Sequence, residues 1–402
     1  MSVRVGAGLS TEHDPLEAGR AAAGAAASVL AGEAADVAIV FASGAHLAAP
    51  EAALEAVQSV LSPGALIGCG AGGVLGSGRE LESGTALAVW AGSFGGGGRV
   101  RTFHASLGEG GLSGGSAGGP AGAARLAGSV SGLPDMEGCS GAIMLCDPYT
   151  FPADAVLARL AHEAPELPVL GGLASAQTPE GGAALFFGEE MRERGAVGVA
   201  LEGVQMRPCV SQGAAPLGRE VTITAAEGNM IHELAGRPAL ETIQTLIAEL
   251  TPREQALVAG GLLIGIVIDS GKPEYGPGDF LVRGVLGADP ESGSVAVGAT
   301  VAIGQVVQLH ARDARSADED LRHALQLQRA ALGDRPPVGA LLFSCNGRGM
   351  AMFGEPNHDA ALVQSELSGA PAAGFFAAGE IGPVGGRSYL HGFTATVAVF
   401  PA

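Results

Sequence analysis

One pattern constrains the fold of this chain more than any other. An apolar strand, a helix, a glycine-bearing segment and further strand recur three times. The first copy runs through V-A-I-V-F-A-S (37–43), the helical P-E-A-A-L-E-A-V-Q-S-V-L (50–61), the turn A-L-I-G-C-G-A-G-G-V-L-G-S-G (65–78) and T-A-L-A-V-W-A (85–91). The second runs through A-I-M-L-C-D-P (142–148), P-A-D-A-V-L-A-R-L-A (152–161), V-L-G-G-L-A-S-A (169–176), A-A-L-F-F (183–187) and G-A-V-G-V-A-L (195–201). The third runs through A-L-L-F-S-C-N (340–346), H-D-A-A-L-V-Q-S-E-L (358–367), A-A-G-F-F-A-A-G-E (372–380) and F-T-A-T-V-A-V-F (393–400). From strand end to turn glycine the intervals are 28 residues (Val40 to Gly68), 26 (Leu145 to Gly171) and 31 (Phe343 to Gly374). Unbroken apolar runs of this length read as strands buried on both faces, and the segments between them read as helices. The expected class is therefore mixed α/β: three β-α-β-β units with parallel and antiparallel pairings and helices packed on sheet faces.

A different region separates the second unit from the third. Residues 221–234 read as strand and turn, and P-A-L-E-T-I-Q-T-L-I-A-E-L (238–250) as a helix with Leu240, Ile243, Ile247 and Leu250 on one face. Strands follow at 262–268, 280–286, 294–297 and 305–310, with a hairpin turn over 287–293. A helix over 316–328 is expected to start from Ser316, with Glu319 completing a capping pattern. The Gly- and Ser-rich stretch 106–122 reads as a loop.

Gly68, Gly70 and Gly73 match G-x-G-x-x-G, the dinucleotide-binding fingerprint. The context does not support it. The other two units lose the motif at the same place, residues 74–84 make a poor helix start, and no acidic residue lies about twenty positions on to hold a ribose. A tight turn between packed strands is the simpler reading, and no cofactor is expected. The net charge of −19 argues against nucleic acid and against anionic membranes as partners. The N-terminus lacks a signal-peptide core, and the charge-free stretch 56–78 holds Pro63 and seven glycines, which opposes a spanning helix. Five cysteines without a C-x-x-C pair read as reduced thiols of a cytoplasmic protein.

The segments F-S-C-N-G-R-G (343–349), G-F-F-A-A-G-E-I-G-P (374–383) and L-H-G-F-T-A-T (390–396) resemble the FIST C-terminal domain. V-S-Q-G-A-A-P-L-G (210–218), G-N-M-I-H-E-L-A-G-R-P-A-L (228–240) and F-L-V-R (280–283) are similar to connecting segments of the same family, and the first 200 residues resemble the FIST N-terminal domain. One departure is Gly392, where the family pattern would have asparagine. The resemblance implies two domains, 1–210 and 211–402, in a stand-alone form without an F-box or kinase module. It implies an intracellular sensory protein that binds a small, amino-acid-like ligand without transforming it. FIST domains in F-box proteins also set a precedent for an adaptor that recruits a protein partner.

Candidate ligand contacts follow from this. Gly347 and Gly349 flank Arg348, so backbone amides can face a ligand while the guanidinium grips a carboxylate; the alternative is an arginine that ties down a loop. Glu380, after Gly379, could receive an ammonium group opposite Arg348; the alternative is a carboxylate that caps amides or pairs with Arg387. Asn346 belongs to the same turn. Cys345 would line the pocket, or act as a nucleophile if Arg348 lowered its pKa. Ser43 and Asp147 stand at the equivalent strand ends of the other two units. His232, His310 and His358 lack metal-ligand spacing, and no metal is expected.

Overall fold

The computed structural model describes residues 3–108, 120–176, 184–276 and 278–402. A first segment contains β1 (Arg4–Ser10), α1 (Pro15–Leu30), β2 (Val37–Ser43), α2 (Glu51–Leu61), β3 (Leu66–Gly70), the hairpin β4 (Val74–Gly76) and β5 (Arg79–Leu81), and β6 (Ala86–Ser93). A second contains β7 (Arg99–Leu107), α3 (Pro120–Gly128), β8 (Val130–Ser131), β9 (Gly141–Cys146), α4 (Ala153–Glu163), β10 (Val169–Leu173), the hairpin β11 (Leu185–Phe187) and β12 (Glu190–Arg192), and β13 (Ala196–Glu202). Most of the glycine-rich stretch expected as a loop lies outside the described residues. A third segment opens with β14 (Arg207–Gln212) and is then interrupted. The interruption comprises β15 (Ala214–Glu227), β16 (Met230–Leu234), β17 (Arg237–Pro238), α5 (Ala239–Glu249), α6 (Pro252–Ala259), β18 (Leu262–Val267), β19 (Phe280–Asp289), β20 (Ser294–Val297) and β21 (Val306–Arg312). The segment resumes with α7 (Ala314–Leu332), β22 (Pro337–Cys345), the short α8 (Met350–Phe353), α9 (His358–Glu366), β23 (Ala372–Ala377), the hairpin β24 (Glu380–Val384) and β25 (Arg387–His391), and β26 (Thr394–Pro401).

The same pairings recur in three sheets. Each holds a parallel pair joined by a helix: β2 with β3, β9 with β10, β22 with β23. Each first strand is flanked on its other edge by an antiparallel closing strand, β6, β13 or β26. The hairpins are exchanged in a ring. β4–β5 extends the third sheet through β23, β24–β25 extends the second through β10, and β11–β12 extends the first through β3. The interrupting segment forms its own antiparallel sheet, ordered β15-β21-β18-β19-β20-β16-β17.

The sequence explains these choices locally. All seven residues of V-A-I-V-F-A-S are buried, as a strand covered on both faces requires. One face of each of the three recurring sheets joins a shared core containing Phe41, Trp90, Leu145, Phe343, Phe375 and Phe400, and the interrupting sheet packs a core of its own. Phe41 stacks on Phe375 at 5.1 Å and meets Phe343 edge-on at 6.5 Å. The opposite faces carry α1 and α2, α4, or α7 and α9.

Two expectations change. Gly68, Gly171 and Gly374 do not lie in turns but inside β3, β10 and β23. A Cβ at these positions would lie 2.0, 1.9 and 1.7 Å from the carbonyl oxygens of Val40, Met144 and Leu342 on the parallel partner strand. Only glycine permits that approach, so the motif marks strand packing rather than a phosphate loop. Ser316 is not the helix cap. Asp313 is, and its Oδ2 accepts from the Ser316 amide at 3.2 Å and hydroxyl at 2.6 Å.

Candidate functional site

β22 ends at Cys345, and the chain turns through Asn346–Gly349 into α8. Asn346 is exposed, and its amide donates to the Ala377 carbonyl at 2.9 Å. Gly349 has φ of 90°, and a Cβ there would meet the Glu82 carboxylate, which accepts from the Met350 amide at 2.7 Å. Arg348 folds inward and is 1% exposed. Its Nε and Nη2 donate to Asp359 Oδ2 and Oδ1 at 2.6 and 2.9 Å, a bidentate pair. Ser344 Oγ donates to Asp359 at 2.8 Å, and His358 Nδ1 lies 3.0 Å from it. Burial would raise the Asp359 pKa, but Arg348's charge and these hydrogen bonds hold it well below the usual carboxylate range.

Glu380 is completely buried. Its Oε2 accepts from the Thr394 amide at 3.0 Å and hydroxyl at 2.9 Å. Burial pushes its carboxyl up to about 8 against those hydrogen bonds and Arg348's charge. Glu380 Oε1 and Arg348 Nη1 have no hydrogen-bond partner. The Cys345 thiol is pushed up to about 12, by burial first and by Glu380's charge second. It therefore stays protonated at neutral pH, which opposes a role as nucleophile.

The expected open pair of poles is thus a closed cluster. Arg348 grips a carboxylate of its own chain, and Glu380 is sealed and uncharged at neutral pH. Gly379 is drawn into strand exchange, its carbonyl accepting from the Leu173 amide at 2.8 Å. Ser43 and Asp147 serve local turns. The Ser43 hydroxyl donates to the Gly84 carbonyl at 2.9 Å, and the Asp147 carboxylate accepts from the Tyr149 and Thr150 amides and the Thr150 hydroxyl. Among the described residues no hydrogen bond or ion pair joins either of them to Arg348 or Glu380.

A second feature lies directly behind Arg348. Gly213 links β14 to β15, and a Cβ on it would come within 2.9 Å of Arg348 Nη1 and 2.3 Å of the Phe393 carbonyl oxygen. Its neighbours Gln212 and Ala214 line a cleft of about 420 Å³, closed by Tyr275, Phe280, His310 and Asp320 among others. The cleft sits where the interrupting sheet leaves and rejoins the third segment, between β15, β21 and α7. Asp320, on α7, accepts from the Gln212 amide at 2.7 Å. Burial raises its carboxyl, opposed by hydrogen bonds from Ser211 and Gln212 and by Arg348's charge. A volume of this size, part aromatic and part polar, suits a small organic ligand. Sequence reasoning missed Gln212, Asp320, Tyr275 and Phe280 as site residues and named His310 only to discount a metal. Gln212 and Asp320 flank the two junctions of the interruption, whereas Tyr275 and Phe280 come from its middle, before and at the start of β19, so no single sequence signal joins the four. Among the described residues, no group of three His, Cys, Asp or Glu could hold a metal, and no helix is long and apolar enough to cross a membrane.

Comparison with known proteins fits this architecture. The family model of the FIST N domain matches residues 36–237, and that of the FIST C domain matches residues 239–383. The chain is 41% identical over 401 residues to an uncharacterized protein of Mycobacterium tuberculosis (strain ATCC 25618 / H37Rv), covering 99% of this chain and 100% of the relative. It is 40% identical over 401 residues to an uncharacterized protein of Mycobacterium bovis (strain ATCC BAA-935 / AF2122/97), covering 99% of each. The chain belongs to the FIST family.

Proposed function

We propose that this protein is a non-catalytic sensory protein that takes a small, amino-acid-like ligand into the cleft between β15, β21 and α7. The observation that carries the reading is the cleft itself, which combines a half-open volume of about 420 Å³, two aromatic rings and convergent polar groups at a junction between two sheets. Ligands at such a junction alter how its two sides pack, which gives sensing a physical route. Behind the cleft the Gly213 backbone is held by its amide, which donates to the Phe393 carbonyl at 3.0 Å, and the Arg348 cluster lies beyond it.

A thermal-shift screen with amino acids, amines and small carboxylates at millimolar concentration tests this. A ligand present at 100 times its Kd stabilises the folded chain by about 2.7 kcal/mol, a readily measured shift. The shift should vanish in Ala214→Trp, whose half-buried position packs with Tyr275 and Phe280 on the cleft face of the sheet. A shift that survives Ala214→Trp would move the site elsewhere. Silence from every compound would remove the ligand-binding reading and favour the adaptor.

A further inference from the structure

The polar groups lining the cleft share one property: each spends a donor within the protein and keeps an acceptor for the space. Gln212 Nε2 donates to the Phe280 carbonyl at 2.5 Å, and Gln308 Nε2 donates to the Gly218 carbonyl at 2.8 Å. Each amide thereby spends one of its two N–H groups and keeps the other N–H and its Oε1 acceptor. His310 Nδ1 lies 3.2 Å from the Gln308 carbonyl oxygen, which can only accept. Nδ1 must carry the proton, leaving Nε2 as a lone-pair acceptor. His310 is 2% exposed and lines the cleft, and no protein group among the described residues donates to its Nε2. Burial pushes its imidazole down to about 4, so the ring is neutral at physiological pH.

The hydroxyls follow the same rule. Tyr275 donates to the Ser270 carbonyl at 3.3 Å and Ser316 to Asp313 at 2.6 Å. Three carboxylates, Glu220, Glu319 and Asp320, complete the polar lining, and no lysine or arginine belongs to it. His323, exposed on α7, and the second N–H of each glutamine are the side-chain donors that remain. The apolar part is Phe280, 5.0 Å from the His310 ring and 6.0 Å from Tyr275.

We propose that the cleft selects an organic cation rich in N–H groups, a primary amine or guanidinium on an apolar body, over an amino acid that also carries a carboxylate. The proposal rests on the cleft being the ligand site and names the ligand class. An ammonium or guanidinium matches an acceptor-rich lining without lysine or arginine, gains from the three carboxylates, and can lie against the Phe280 and Tyr275 rings. A ligand carboxylate would meet few donors there and would face like charge, so removing it improves binding.

Isothermal titration of the full chain with paired probes tests this: agmatine against arginine, phenethylamine against phenylalanine, and 3-phenylpropionate alone. At least one amine should bind about tenfold or more tightly than its amino acid, a difference of about 1.4 kcal/mol, with no binding by 3-phenylpropionate. Glu220→Gln and Glu319→Gln, both at exposed positions and so neutral to folding, should each weaken the amine severalfold. An amino acid or 3-phenylpropionate that binds as tightly as its amine, and is lost in Ala214→Trp, would overturn cation selection while leaving the cleft as the site. Amine binding that neither glutamine variant weakens would also overturn it. No binding by any probe would overturn both the selection and the site.

Discussion

Two polar regions stand back to back across Gly213, and they are built on opposite principles. In the Arg348–Asp359 cluster most groups answer one another: Arg348 and Ser344 donate to Asp359, and Thr394 donates to Glu380. In the cleft the lining is rich in open acceptors. The first arrangement suits a structural joint, and the second suits the ligand site proposed above. The segment F-S-C-N-G-R-G supplies the joint. The cleft beside it draws on the family-like segments V-S-Q-G-A-A-P-L-G and F-L-V-R, together with β21 and α7, for which no motif was read.

The largest test of this contrast is Arg348→Met. Leaving Asp359 buried and unpaired should cost about 3–5 kcal/mol, read as a lower urea midpoint. The double variant Arg348→Met with Asp359→Leu should recover much of that loss, because no charge is then left buried alone. A single variant as stable as the wild type would break the joint reading.

Gly213→Ala probes the wall between the regions. The added methyl meets Arg348 Nη1 and the Phe393 carbonyl, so a loss of about 1–3 kcal/mol is expected. The ligand-induced thermal shift should fall with it. Unchanged stability together with a full ligand shift would show that the two regions are uncoupled.

The smallest effect is a pH dependence carried by Glu380. Its folded pKa is raised to about 8, above the ordinary glutamate value, so the folded chain holds this proton more tightly than the unfolded chain. The associated stability is full below the unfolded value of about 4.3 and declines as pH rises toward 8. Glu380→Gln removes that decline. Urea midpoints at pH 5, 6.5 and 8 should fall for the wild type relative to the variant, and parallel midpoints would refute the buried, protonated carboxyl. Asp359 works in the other direction, its contribution being lost only in acid.

The strand and helix order was legible because it is written in short-range periodicity. V-A-I-V-F-A-S, the helix after it and their two counterparts declare themselves within a dozen residues each. Gly68, Gly171 and Gly374 were visible as special, but their reason was not, since the colliding carbonyl lies on another strand. Arg348 and Glu380 were singled out from the sequence as ligand contacts near strand ends. Whether such groups face a ligand or each other depends on what seals them. Asp359 sits only 11 positions from Arg348, whereas the Glu80 carboxylate that accepts from the Ala360 amide comes from 280 positions away, on an exchanged hairpin.

By itself, then, the sequence determined the elements, their mixed α/β class and the family. Tertiary structure decided the ring of exchanged hairpins, the closure of the Arg348 cluster and the opening of the cleft. The physical reason is that burial and hydrogen-bond satisfaction belong to groups of residues brought together from distant parts of the chain. Gln212, His310 and Asp320 line one cleft although nearly all of the interrupting segment lies between the first and the other two, and only the folded chain shows which of their polar groups remain free.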